Sequence, residues 1–342
     1  MKKFLVVLNI MWEHLKSILI AVLIGMAIII SLSSIIHNVL KIREIYAEDT
    51  TGYKNLVTVG KTRLNVRVEG EGEQTVVILP DFAECSPIVK YKTYSNRLSE
   101  LNCKVVTIEY FGYGYSLSSK DERTNIKLAQ EIKSALTSAN VDSPYTFVAN
   151  GTSSLYAYMY SNLYPEDLQK LVVIDGVYPS SIKDKYTEKY VDDLTTNAVI
   201  TSYAELSGYA RILSYINPAV FHIDQMKEIG FDKVDIKTYR KMIANRYYTG
   251  TMKREIKELK TNMQNLQSYQ YPSFLTVNQV LSTGYIDEVK QLVKENKTKT
   301  NLEKYANDMI TNADIQDVVT VEGKKSNLSL DNPDKVIEAI LN

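Results

Sequence analysis

The chain is poor in the residues on which most site chemistry depends. Only two cysteines, Cys85 and Cys103, occur in 342 residues. That excludes a disulfide framework, and no Cys/His spacing matches a zinc site. Three histidines, His14, His37 and His222, leave few places where an imidazole could act as base or ligand. Neither sign of charge is in excess: 40 basic and 40 acidic residues give a formal net charge of zero. Without a basic surplus there is no electrostatic case for nucleic acid as a partner, and without an acidic run none for a solvating tail. No motif calls for a cofactor or a metal. What is present is apolar: 45% of residues are hydrophobic, ample for a packed core.

Much of that apolar content opens the chain. Ser17 to Leu40 carries no charged residue, and Ile18 to Ile36 is almost wholly aliphatic. As a helix the uncharged run is about 36 Å long, enough to cross a hydrocarbon core of about 30 Å. A cleaved signal peptide would have a shorter apolar region with a small-residue site close behind. The only candidate, Ile45-Tyr46-Ala47, lies well past the apolar stretch. Residues 17–40 are therefore read as an uncleaved transmembrane anchor. Residues 1–16 form a cytoplasmic or interfacial segment, with Phe4 to Trp12 as a second apolar patch. Lys2, Lys3 and Lys16 precede the anchor and Lys41 and Arg43 follow it, so charge barely orients it. A short segment before a large domain favours an inside N-terminus and an extracytoplasmic domain. Residues 41–54 read as a polar tether crossed by few contacts.

The remainder, residues 55–342, alternates short apolar strands with amphipathic helices. Strands are expected at 62–68, 75–79, 104–109, 145–148, 171–174, 274–277 and 318–321, and a helix from near Arg123 with Leu128, Ala129, Ile132, Ala135 and Leu136 on one face. This rhythm predicts an α/β architecture, a mostly parallel sheet covered by helices on both faces. Residues 177–270 break it with a long, polar, Tyr-rich helical stretch, read as a cap over the carboxyl edge of the sheet, where such folds bind ligands. Its tyrosines, including Tyr203, Tyr209, Tyr215, Tyr247 and Tyr248, suit either an amphipathic groove or packing between cap helices.

Three segments carry a resemblance: TVVILPDFAECSP after the early hairpin, VVTIEYFGYGYS at 105–116, and LYAYMYSNLYPE followed by LVVIDG. In this order and spacing they resemble the α/β-hydrolase fold, and more narrowly the membrane-anchored α/β hydrolases of low-GC Gram-positive bacteria, a source that the abundance of Lys, Asn, Ile and Tyr also suits. The resemblance implies hydrolysis of esters, amides or related bonds. It also implies a nucleophile in G-x-S-x-G on a sharp strand-to-helix turn.

The implied catalytic residues are missing from their places. Counting back from Tyr164-Pro165-Glu166 puts the nucleophile position on Gly151, which has no side chain but suits a turn with positive φ. The loop expected to carry the general base, Glu322 to Leu328, has no His. The stretch expected to carry the acid, Asn278 to Ser282, has no carboxylate. Asp81 falls in the oxyanion loop, where a negative charge has the wrong sign for stabilising an oxyanion. The chain is thus expected to be a pseudo-hydrolase, with a binding or scaffolding role and a small-molecule or protein ligand under the cap. The alternative is an active serine hydrolase of esterase or amidase class with a displaced nucleophile, Ser153, and Lys324 or Lys325 as base. Against it, Ser153 and Ser154 suit the first turn of a helix. Cys85 reads as a free buried thiol and His222 as a structural cap residue. Three N-glycosylation patterns (Asn150-Gly151-Thr152, Asn296-Lys297-Thr298, Asn327-Leu328-Ser329) carry no weight in a bacterial chain.

Overall fold

The computed structural model describes residues 2–46, 49–296, 302–308 and 318–342. Ala47 of the candidate cleavage site and Lys297-Thr298 of one glycosylation pattern lie outside the described residues.

One sheet organises the domain. Its strands are β1 (Leu56–Val59), β2 (Thr62–Glu69), β3 (Gln74–Leu79), β4 (Cys103–Glu109), β5 (Tyr145–Asn150), β6 (Leu168–Ile174), β7 (Thr276–Ser282) and β8 (Val318–Val321), in the spatial order β1-β2-β4-β3-β5-β6-β7-β8. β2 runs antiparallel to β1 and β4, and the other neighbours pair in parallel. The central strands are apolar at consecutive positions because both faces are covered. Val77, Val106, Phe147 and Val173 pack on one side with Leu128, Ile132 and Leu155. Val76, Val105, Val148 and Val172 pack on the other with Tyr94, Leu98, Val336 and Ile340.

Several boundaries differ from the sequence expectation: β1 is not expected as a strand, β5 runs on to Asn150, β6 starts at Leu168, and two further differences involve buried polar side chains. β7 runs on to Ser282 rather than ending at Val277, because its polar residues Asn278 and Gln279 are buried in the sheet. The Tyr178 hydroxyl donates to Gln279 at 3.3 Å. The helix expected near Arg123 starts at Asn125, capped by the Thr124 hydroxyl, while Arg123 is buried and bonds both Glu131 oxygens at 2.8 and 3.0 Å.

The N-terminal helix α1 (Lys2–Tyr46) corrects another reading. It is long and apolar enough to cross a membrane. It does not give way to a tether at residue 41. One face of its last turns is docked on the cap helices α3 (Lys185–Leu206) and α4 (Tyr209–Ile216), which flank the segment 206–208. Ser33 Oγ donates to the Ser207 carbonyl at 2.6 Å and Ser34 Oγ to that of Leu206 at 2.7 Å. Lys41 pairs with Glu205 at 2.5 Å. Arg211 grips both oxygens of Glu44 at 2.8 Å, and Asn245 donates to Glu44 at 2.8 Å. Gly208, with φ +75°, lets this corner approach the buried His37: a Cβ there would stand 2.7 Å from the His37 Cβ. Ser33, Ser34, His37, Lys41 and Glu44 recur at helical spacing, so the docked face is a polar stripe within a hydrophobic helix.

A buried carboxylate orders the loop after β4. Glu109 accepts from the Tyr115 amide at 2.7 Å, the Asn65 side chain at 2.9 Å and the Ile88 amide at 3.4 Å. Burial raises its pKa to about 7 against the lowering effect of those bonds.

Two predictions follow from these contacts. Removing residues 1–48 should lower the melting temperature in detergent below that of a variant lacking only 1–32. The docked stripe contributes about 1–2 kcal/mol through its charged hydrogen bonds, or roughly 2–6 °C. Equal melting temperatures would mean that the docking carries no stability. For Glu109, the folded state holds a proton that the unfolded chain releases above its ordinary value near 4.5. Its contribution is present below that pH and is lost as pH rises through about 7. Glu109→Gln should therefore flatten the fall in urea stability between about pH 5 and pH 7.5, by on the order of 2–3 kcal/mol. A slope identical to the parent's would refute the assignment.

Candidate functional site

The carboxyl ends of β3, β5, β6, β7 and β8 converge beneath the cap, and each delivers one polar residue. After β5 the chain turns sharply at Gly151, with φ +52°, and enters helix α2 (Ser153–Leu163). Ser153 and Ser154 lie in its first turn. Ser154 Oγ donates to the Gly151 carbonyl at 2.8 Å and accepts from the Val177 amide at 2.9 Å. Ser153 is fully buried, donates to the Pro80 carbonyl and sits 2.9 Å from the Tyr110 hydroxyl. No base is among these partners.

Asp81, in the loop after β3, fills the space that a side chain at the turn would need. Its Oδ1 accepts from the amide of Thr152 at 2.9 Å and from the amide of Phe82 at 2.7 Å. The Thr152 hydroxyl is a third donor at 3.3 Å. A Cβ at Gly151 would fall inside van der Waals contact of the Asp81 carboxyl group. In hydrolases with a nucleophile elbow, the oxyanion hole is made by the amide after the nucleophile and one from the loop after the third strand. Thr152 and Phe82 hold those two places, and both amides donate to an anion supplied by the chain itself.

The second oxygen of Asp81 continues the network. Ser326 Oγ donates to Asp81 Oδ2 at 2.6 Å, and the Ser326 amide donates to Asp175 Oδ2 at 2.9 Å. Ser326 lies in the loop after β8, where the resemblance expects a histidine. Asp175 directly follows β6 and is buried, and it also accepts from the Ser282 amide and hydroxyl, each at 2.7 Å. Burial raises its pKa despite those bonds. Asp175 and Ser326 both hold left-handed backbone, φ +49° and +56°. Such conformations persist where surrounding contacts over-determine them. Sequence reasoning missed Asp175. The available signal was a carboxylate immediately after the buried strand LVVI, at the carboxyl edge of a parallel sheet.

The other candidates lie apart. Lys325 Nζ bonds the Tyr186 hydroxyl at 3.2 Å and Glu288 at 3.1 Å and stacks over Tyr190 at 4.2 Å, so it is not a base for Ser153. The Lys324 amide donates to Asp331 at 2.6 Å. Cys85 is buried with its thiol pKa pushed well up, an inert state. His222 takes a left-handed turn within the cap, and burial, then Lys90, lower its pKa. Tyr248 packs edge-on against Phe82 at 5.9 Å, and Tyr247 against Phe221 at 5.4 Å. Tyr203, Tyr209 and Tyr215 instead face outward from the cap. Among the described residues, a cavity of about 610 Å³ lies at the cap's root, lined by Tyr158, Pro179, Lys183, Leu266, Tyr269 and Tyr271. It does not include Asp81, Gly151 or Ser326.

Steric coupling between positions 81 and 151 is directly testable. Gly151→Ala should cost more than about 2 kcal/mol, from overpacking and left-handed strain together. In an Asp81→Ala background the cost should fall to about 1 kcal/mol, the strain alone. Denaturant midpoints of the double-mutant cycle measure the difference. Additive effects would show that the carboxylate does not occupy the turn.

Comparison with known proteins agrees with this geometry. No family model matches the sequence. The uncharacterized protein YbdG of Bacillus subtilis is 23% identical over 262 residues, covering 76% of this chain and 74% of its own. Among solved structures, a mutant of potato epoxide hydrolase superposes with a TM-score of 0.60 at 16% identity, covering 84% of this chain and 97% of that one. Cfl2 from Burkholderia cenocepacia gives 0.57 at 14%, covering 83% and 92%. The thioesterase domain of the curacin biosynthetic pathway gives 0.51 at 13%, covering 84% and 99%. The strand order, the sharp turn after β5 and these likenesses together show that the chain has the α/β-hydrolase fold, with a helical insertion and an N-terminal apolar helix.

Proposed function

We propose that this domain is a hydrolase-like binding or scaffolding module without hydrolytic activity, held at the cell membrane by α1. The observation that carries the reading is the Asp81 carboxylate, which takes both amides that would otherwise stabilise an oxyanion. Three further features support it. Gly151 offers no nucleophile. The Ser326 hydroxyl, already donating to Asp81, is no proton acceptor at neutral pH. Ser153 is buried and spends its proton on Pro80. Loss of a triad's nucleophile or base costs on the order of 10⁶ in rate, and the residual catalysis depends on an open oxyanion hole. A ligand, small molecule or protein, would engage the cap; the 610 Å³ cavity at its root is of suitable size. The short stretch before the apolar run, with the large domain after it, favours a cytoplasmic N-terminus and a domain on the outer side.

A fluorophosphonate probe tests the reading. The purified full chain should not be labelled, and it should not hydrolyse a short-chain nitrophenyl ester above buffer. The pair Asp81→Ala with Gly151→Ser, which supplies a hydroxyl and frees the amides, should remain inactive because the hydroxyl still lacks an adjacent base. Labelling of the parent at Ser153 would establish an active hydrolase with a displaced nucleophile.

A further inference from the structure

The docked end of α1 fixes where the cap stands relative to the apolar run. That run is uncharged from Ser17 to Leu40. Ser33 and Ser34 bond the cap at Leu206 and Ser207, seven residues before the run ends. Seven helical residues are about 10 Å. If the uncharged run lies in hydrocarbon, the cap corner around 206–208 is drawn about 10 Å inward of the level of Leu40, beside the same lipid. A corner with unpaired polar groups is disfavoured there, because hydrocarbon offers them no hydrogen-bond partner.

The polar groups of this corner are paired, Glu205 with Lys41 and the carbonyls of Ser207 and Leu206 with Ser33 and Ser34, and its outward side chains are apolar. Ile200, Tyr203 and Leu206 on α3 and Ile212, Tyr215 and Ile216 on α4 are exposed large apolar side chains, Tyr203 at 73% and Ile216 at 75%. Together with Tyr209 they give the mix of aliphatic and tyrosine side chains favoured where protein meets the membrane–water interface. Among the described residues these side chains stay exposed, in contrast to the buried cap residues Ile223, Met226 and Ile243. Large exposed apolar side chains gathered on two successive helices mark a protein or membrane contact. Continuity with α1 decides between them.

Charge points the same way. Close to Leu40 and Arg43, at the polar end of the run, a cavity of about 600 Å³ opens between α1 and the cap helix Lys233–Arg246. Arg43, Arg211, Lys233, Lys237, Arg240 and Lys241 line it, against the acidic Glu44 and Asp49. Arg211 is taken by Glu44 at 2.8 Å, and the Arg240 guanidinium lies over the Tyr215 ring at 4.4 Å. The surplus of positive charge stands where lipid phosphates would lie if Leu40 marks the edge of the hydrocarbon. Basic residues beside an anionic leaflet are attracted to its surface.

We propose that the α3–α4 corner of the cap is a membrane-docking surface, seated in the same leaflet that α1 enters, with the basic cavity facing anionic lipid headgroups. The proposal rests on α1 spanning the bilayer. Its occupant is the lipid surface, not a second copy or a separate protein. In this arrangement the cap, and the carboxyl edge beneath it, face the membrane. A ligand of the cap would then arrive from the lipid phase or from its surface.

Site-directed nitroxides on the full chain in vesicles test this. Cys85 and Cys103 are buried, so an introduced surface thiol is the reactive one. Labels would be placed through Ile200→Cys, Ile212→Cys and Ile216→Cys on the corner, Ile28→Cys in α1, and Leu101→Cys, exposed before the amino end of β4. In phosphatidylcholine vesicles with about 30% phosphatidylglycerol, power-saturation should show high oxygen and low nickel-chelate accessibility at 28, 200, 212 and 216, and the reverse at 101. The corner labels should move at least twofold towards the aqueous pattern in pure phosphatidylcholine. An aqueous pattern at 28 would sink the spanning helix itself. A lipid pattern at 28 with an aqueous pattern at the corner would sink the docking proposal alone. Shielding from both reagents with dipolar broadening between copies would assign the corner to a second copy and overturn the proposal. Corner accessibilities indifferent to phosphatidylglycerol would overturn the role of anionic headgroups.

Discussion

Two main-chain amides that point at one spot make a place for an anion, and they favour whichever anion is nearest. In this domain that anion is covalently part of the chain. The Asp81 carboxylate accepts from Phe82 and Thr152 and is tied through Ser326 to the loop after β8. The carboxyl ends of β3, β5 and β8 are therefore clamped by one side chain. Charge-assisted hydrogen bonds of this kind are about twice as strong as neutral ones. A turn that a hydrolase would keep open for a transient oxyanion is permanently satisfied here. The missing side chain at Gly151 fits the same constraint, since any Cβ there would collide with the carboxylate.

The second clamp is built on the same logic. Asp175 leaves β6 in a left-handed conformation and gathers donors from Ser282 and Ser326. It joins β6, β7 and the loop after β8, so the two aspartates meet at one serine. Ser326 donates through its hydroxyl to one carboxylate and through its amide to the other. A histidine base at that point would meet no hydroxyl to deprotonate, because Gly151 carries no side chain and the Asp81 carboxylate stands in its place. Glycine at the turn, serine after β8 and aspartate after β3 thus form one consistent set. Changing a single member would leave the others in conflict with it.

The sheet was largely legible because its strands are apolar runs of the right length, and the cap because residues 177–270 lack such runs. Where the pattern misled, buried polar residues were responsible. Asn278 and Gln279 look like loop but lie buried in β7, where the Tyr178 hydroxyl donates to Gln279 Oε1 while Asn278 Oδ1 and Gln279 Nε2 find no partner among the described residues. At the site, the turn at Gly151 was readable from spacing and from glycine's access to positive φ. What Asp81 does there was not. Its charge was visible as the wrong sign for catalysis, but only the approach of Thr152, seventy-one residues away in sequence, shows the carboxylate acting as the bound anion. Asp175 was hidden for the same reason: its donors come from β7 and the loop after β8, and no local pattern announces them.

The anchor shows how an average conceals a period. Mean hydropathy marks residues 17–40 as one apolar run and stops there. Read at helical spacing, Ser33, Ser34, His37, Lys41 and Glu44 form a stripe that continues through the end of the run. The structure spends that stripe on the cap. A helix that is polar on one face near one end cannot turn freely in a bilayer without exposing that face. Docking resolves the conflict by giving the stripe protein partners, and it does so only in one rotational setting. The orientation of the domain is then set by the same contacts that satisfy the helix. Residues 17–32, the part of the uncharged run before the docked serines, make about 24 Å of helix, and the docked turns 33–40 complete the span beside the cap corner. Because Glu44 is gripped by Arg211 and Asn245 from two different cap helices, rotation of the cap about the anchor would have to break charged hydrogen bonds. The helix therefore acts as a rigid mount, and the cap's outward apolar corner inherits a fixed direction from it.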